Sequence, residues 1–130
     1  PLPGLSQLPA LLEQVSAAGP QVELQVRGPE RPLAPGMDLT AYRVIQESLT
    51  NVVRHAGAAH ARVTLSYDPA TLVIEVVDDG ESAPAAQNGG LGIEGMRERL
   101  HAFGGTLDAA PLREKGFRVR AELPLGRPDA

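Results

Sequence analysis

Apolar residues recur at three- and four-residue steps through Leu39, Tyr42, Ile45, Leu49, Val52 and Val53. That period predicts an amphipathic helix that Asp38 or Thr40 opens and that ends near Gly57. Leu8, Leu11, Leu12 and Val15 share the period and predict an earlier helix over residues 7–18, capped by Ser6 and stopped by Gly19-Pro20. A third helix is predicted over 93–103, with Ile93, Met96, Leu100 and Phe103 inward and Gly104-Gly105 at its end. Elsewhere the period is two. Val22, Leu24 and Val26 alternate with Glu23, Gln25 and Arg27, which predicts a half-buried strand over 21–27. Strands follow over 62–67 and 71–77, joined by a turn at Asp68-Pro69-Ala70. The second is almost wholly apolar, as a central strand is. A last hairpin, 106–110 and 117–123, turns through 111–116. Residues 28–36 hold three prolines and two glycines and read as a loop.

Three helices and five strands, the later strands grouped, predict an α+β fold rather than strict strand–helix alternation. The expected form is a two-layer α/β sandwich, one mixed five-stranded sheet with three helices on one face. Residues 1–4 read as a linker, 5–126 as one domain and 127–130 as a tail. A chain of 130 residues can bury a proper core. With 42% hydrophobic but only 3% aromatic residues, that core has to come from Leu, Val, Ile and Ala. The absence of cysteine removes disulfides and thiolate metal sites and fits a reducing compartment. A net charge of −4 with scattered arginines argues against nucleic acid as a partner. No apolar run is long enough to span a bilayer, and no basic leader precedes an apolar stretch. A cytoplasmic domain without direct membrane contact is therefore expected. The start at Pro1 rather than Met fits a piece of a longer protein.

Candidate chemistry lies at three places. Glu47, Asn51 and His55 recur every four residues and stand on one line of the central helix, at the edge of its apolar stripe. Carboxylate and carboxamide oxygens are the ligands magnesium prefers beside phosphate, although such a row also describes a solvated helix face. Next, Asp78-Asp79-Gly80 follows the buried strand, where an ionised carboxylate is costly unless something donates to it. The same three residues also read as a simple turn. Third, Gly90-Leu91-Gly92 precedes a helix whose free amides favour an anion, and Ile93 opens that helix. Gly95 inside it costs about 1 kcal/mol relative to alanine, as where something approaches closely. Residues 81–88 are small and polar with one proline, the composition of a lid.

Taken together and in this order, the three motifs resemble the N, G1 and G2 boxes of the catalytic domain of bacterial two-component sensor histidine kinases. The subfamily it resembles pairs with NarL-type response regulators. The likeness runs from about Leu39 to Pro124 and rests on Glu47-x-x-x-Asn51-x-x-Arg54-His55-Ala56, Asp78-Asp79-Gly80 and Gly90 to Arg99. It implies the Bergerat ATP-binding fold of the GHKL superfamily, shared with gyrase-type ATPases and Hsp90, and it implies ATP and Mg2+ as cofactors. By resemblance, Asp78 accepts from the exocyclic amine of adenine and Gly80 lets the backbone pass close to the base. Asn51 is a magnesium ligand bridging to phosphates, and Glu47 orients a metal-bound water or a polar neighbour; these two are the candidate catalytic residues. Arg54, His55, Gly90, Leu91, Gly92 and Ile93 complete the nucleotide site. Two positions depart from the family pattern. Ser82 stands where the G1 box ends in glycine, and Phe117 stands where a threonine hydroxyl helps to hold adenine.

The implied activity is phosphorylation of a histidine on a separate dimerisation domain, for relay to a response regulator of NarL type. His55, His60 and His101 lack the antiparallel helix pair that carries such an acceptor, so the nucleophile and its base are expected outside this chain. The isolated domain is expected to be a monomer, and a membrane-anchored full-length protein is compatible with it. An anti-sigma-factor serine kinase of the same superfamily is the alternative, and a degenerate nucleotide sensor is a third reading.

Overall fold

The computed structural model describes residues 2–58, 60–81 and 92–126. A 3-10 turn over Leu5–Gln7 leads into α1 (Leu8–Ala17), followed by β1 (Gln21–Arg27) and α2 (Pro35–Asn51). The last turns of α2 continue as a π-helical segment over Val52–Ala56. Then come β2 (His60–Tyr67), β3 (Thr71–Asp78), α3 (Ile93–His101), β4 (Thr106–Pro111) and β5 (Phe117–Pro124). The sheet order is β1-β2-β3-β5-β4, with β1 parallel to β2 and every other pair antiparallel. Helix α2 is thus part of the crossover between the two parallel strands.

Strand alternation assigns the two sheet faces. On β3, Leu72, Ile74, Val76 and Asp78 are buried while Thr71, Val73, Glu75 and Val77 are half-buried. The inner positions of β2 and β5 meet Ala41, Val44, Ile45 and Leu49 of α2, Met96 and Leu100 of α3, and Leu8, Leu11 and Val15 of α1 in one core. All three helices therefore cover the same face, as the expected sandwich requires. The core is aliphatic, and truncating one of its leucines to alanine costs about 2–5 kcal/mol.

The element ends differ from expectation where local chemistry is ambiguous. Pro35 and Gly36 read as loop, yet they form the first turn of α2. Proline suits that position because its missing N–H would find no partner in a first turn anyway. Asp38, expected to open the helix, instead lies within its first turn and accepts from the Leu5 amide at 3.0 Å. The preceding Gly4 is buried, and a Cβ on it would fall 1.9 Å from Asp38 Oδ2. Ser6 caps nothing; α1 starts two residues later, after the 3-10 turn, with Pro9 in its first turn. Helix α3 stops at His101, and Gly104 turns the chain with φ +77°. Far from these ends, Arg31 donates to the carbonyls of Pro69 at 2.9 Å and Leu125 at 3.1 Å, fastening the β2–β3 turn to the chain after β5.

Candidate functional site

The C-terminal end of β3 delivers Asp78 into the seam between sheet and helices. Its side chain is only 7% exposed, and Oδ1 accepts from the Gly80 amide at 2.8 Å. Burial pushes its carboxyl above the ordinary value of 3.8; the Gly80 hydrogen bond pulls the other way, and the neighbouring Asp79 charge adds a little upward. Directly across on β5 stands Phe117, also buried. Val76 and Val119, two residues away on the same strands, continue the wall. Helix α2 and the π segment close the pocket with Ser48, Asn51, Val52, His55 and Ala56, and Glu81 lies at the rim. The Ser48 hydroxyl donates to the Val44 carbonyl at 2.7 Å. Asn51, His55 and Asp78, drawn from two separate motifs, therefore line one cavity.

Glu47 faces another way along the same helix. Its carboxylate lies against Gly92, the residue that caps α3, where a Cβ would fall 2.2 Å from Oε1. Gly92 has φ +70°, a left-handed conformation that glycine adopts without steric cost. Ile93 turns inward and anchors the first turn of α3 in the core. The N box and the start of α3 are consequently in contact. Gly90, Leu91, Ser82 and the expected lid beyond Glu81 lie outside the described residues.

Gly80 is crowded by the π segment: a Cβ on it would fall 2.2 Å from the Ala56 carbonyl oxygen. That same oxygen accepts from the Glu81 amide at 2.9 Å. Arg54 and His55 are exposed on the π segment, on the last turn before Gly57 reverses the chain at φ +58°. Arg97 is held by Glu94 and by the Leu107 carbonyl, 3.3 Å from its Nε, which ties α3 to β4. At Gly95 an added Cβ would make only ordinary contact, 3.5 Å from Arg99. His60 and His101 do not line the cavity between Asp78 and Phe117. His60 instead pairs with Asp79, Nδ1 to Oδ2 at 2.9 Å.

Sequence reasoning missed Ser48, Val52, Val76, Glu81 and Val119 as pocket residues. Two of them were within reach of strand alternation: Val76 shares a face with Asp78 and Val119 with Phe117. The π segment has no signature in the residues themselves.

Among the described residues no second donor reaches the Asp78 carboxylate, so its remaining oxygen suits a ligand N–H. Also among the described residues, no three His, Cys, Asp or Glu side chains come together as a cation cage. Glu47 and Asn51, one helical turn apart, fit a hard cation that takes most of its ligands from water or phosphate. No helix among the described residues is long and apolar enough to cross a membrane.

Comparison with known proteins gives a consistent family. A family model described as histidine kinase-, DNA gyrase B- and HSP90-like ATPase matches residues 36–127. The sensor histidine kinase YxjM of Bacillus subtilis is 36% identical over 124 residues, covering 94% of this chain and 30% of that protein. The sensor histidine kinase NarS of Mycobacterium tuberculosis is 34% identical over 138 aligned residues, covering 92% of this chain and 32% of that protein. The chain therefore spans about a third of the length of these relatives. The solved histidine kinase domain of the Erythrobacter litoralis EL346 blue-light activated kinase superposes with a TM-score of 0.68 at 23% identity, over 90% of this chain and 57% of that one. Acinetobacter baumannii AdeS gives a TM-score of 0.69 at 15% identity, over 92% and 66%. The order of the motifs, the mixed sheet under three helices and these relatives, which are sensor histidine kinases, agree: the chain belongs to the histidine kinase-, DNA gyrase B- and HSP90-like ATPase family.

Proposed function

We propose that this domain binds Mg-ATP and presents its terminal phosphoryl group to a histidine on a separate dimerisation domain, for relay to a response regulator of NarL type. The observation that carries the reading is the buried Asp78 carboxylate, half satisfied by its own chain and open to a pocket that Asn51 also lines. Asp78 takes the exocyclic amine of adenine. Asn51 would hold magnesium, with Glu47 orienting the polar groups beside it, and the cation would supply neutralisation of the charge that develops on the phosphates. Arg54, His55 and the residues leading into α3 (Gly90, Leu91, Gly92 and Ile93) serve the phosphates. Phosphoryl transfer of this kind is chiefly positioning and charge stabilisation, so Glu47 and Asn51 act by placement, while the acceptor and its base belong to the partner. The named relatives favour this reading over the anti-sigma serine kinase. In the cell we place the domain on the cytoplasmic side.

The test is trans-phosphorylation. The chain is incubated with labelled ATP and magnesium, with and without a dimerisation domain from the same kinase. Acid-labile label on that domain's histidine, and none on this chain alone, is the expected result. Acid-stable label on a serine of a partner protein would support the alternative, and stable label on His55, His60 or His101 would overturn the assignment of the acceptor.

A further inference from the structure

We infer that Phe117 is a specificity-determining residue that reduces base recognition to one polar atom pair, the exocyclic amine on the Asp78 carboxylate. This rests on the proposal that adenine occupies the Asp78 pocket. The polar side chains lining that pocket divide by depth. Asn51 is half-buried and His55 and Glu81 are exposed, whereas Ser48 and Asp78 are buried. Of the two buried ones, Ser48 spends its proton on the Val44 carbonyl at 2.7 Å, and ionised Asp78 is an acceptor only. Phe117, opposite Asp78 in the strand register, adds an aromatic wall where a hydroxyl would add a donor. The deep part of the pocket, as built by the described side chains, therefore offers an acceptor and no free donor. A ring bound there is read by the N–H it gives; among the described residues its own ring nitrogens find no deep side chain to accept from. Adenine N1, next to the amine, is the ring atom that a hydroxyl beside Asp78 would serve.

Calorimetry of ADP and two analogues on the intact 130-residue chain tests this. One analogue lacks the exocyclic amine; the other replaces ring nitrogen N1 by C–H. Loss of the amine is expected to weaken binding on the order of 10- to 100-fold, as for a charge-assisted hydrogen bond. Loss of N1 is expected to cost less than about threefold, below the effect of one ordinary hydrogen bond. Phe117→Thr restores a donor and should raise the N1 penalty above that limit. Phe117→Leu keeps the wall apolar, guards against loss of packing in the threonine variant, and should leave the penalty small. An N1 penalty of threefold or more in the wild type overturns the inference while leaving adenine on Asp78. If removing the amine costs nothing, the placement of the base itself is wrong and the inference falls with it.

Discussion

The Glu47 carboxylate rests on the α-carbon of Gly92, so close that a methyl group there would overlap Oε1 at 2.2 Å. Helix α2 and the start of α3 thereby share one contact, and a side chain at 92 fits only if the Glu47 carboxylate moves away. Gly92→Ala should cost stability twice, once for the left-handed backbone, roughly 1 kcal/mol, and again for the collision. Gly57→Ala is the control: it has a similar φ, +58°, but nothing within 4 Å of its added Cβ. Denaturant titrations should place Gly92→Ala below Gly57→Ala by at least about 1 kcal/mol. Equal losses would mean that Glu47 swings away freely.

Asp78 has a pH signature with a defined sign. Its carboxyl is raised above 3.8 by burial, so the folded chain keeps this proton at pH values where the unfolded chain has lost it. Its contribution to stability is fully present below 3.8 and is lost as pH rises through the raised value. Above that raised value the ionised group is a net cost to the empty protein. Asp78→Asn should therefore melt at a higher temperature than wild type at pH 7, with the gap closing as pH falls through the raised value and gone once pH is below 3.8. The same variant should bind ADP more weakly by about 2 kcal/mol. A lower melting temperature at pH 7 would contradict this account.

Magnesium separates Asn51 from the base pocket. In EDTA, Asn51→Ala and wild type should bind ADP alike. Added magnesium should tighten wild-type binding and hardly change the mutant, and trans-phosphorylation should drop by orders of magnitude. An identical magnesium response in both proteins would remove Asn51 as the ligand. Failure to bind even in EDTA, with a lowered melt, would make Asn51 a structural support.

Gly4 and Asp38 form a pair that a double mutant can expose. Gly4 has an extended backbone, φ −153°, open to any residue, so the objection to a side chain there is steric alone. Gly4→Ala should destabilise by roughly 1–3 kcal/mol through the clash with Asp38. In an Asp38→Ala background the same change should cost markedly less, which a double-mutant cycle reads directly. Additive losses would show that Gly4 is constrained by something else.

The strands and the two main helices were legible because their periods are long and clean. Leu72 to Val77 announced a central strand, and β1 was delimited to the residue by its alternation. What failed was local. Pro35-Gly36 reads as a break, and only the tertiary packing of α2 shows it as a helix start. The π segment over Val52–Ala56 keeps the composition of an ordinary helix end. The site was legible as motifs but not as neighbours. That Phe117 faces Asp78 is a matter of strand register between residues 39 apart in sequence, and no period within either strand contains it.

The Ala56 carbonyl limits how the segment after Gly80 can be redesigned. It fills the space where a side chain at 80 would go and uses the amide of residue 81 as its donor. A replacement loop grafted between β3 and α3 must therefore keep glycine first and cannot begin its own sequence with proline at 81. At the other end it has to return through a glycine at 92, under the carboxylate of Glu47. Libraries that randomise this loop should hold those three backbone positions fixed and spend their diversity on the residues between.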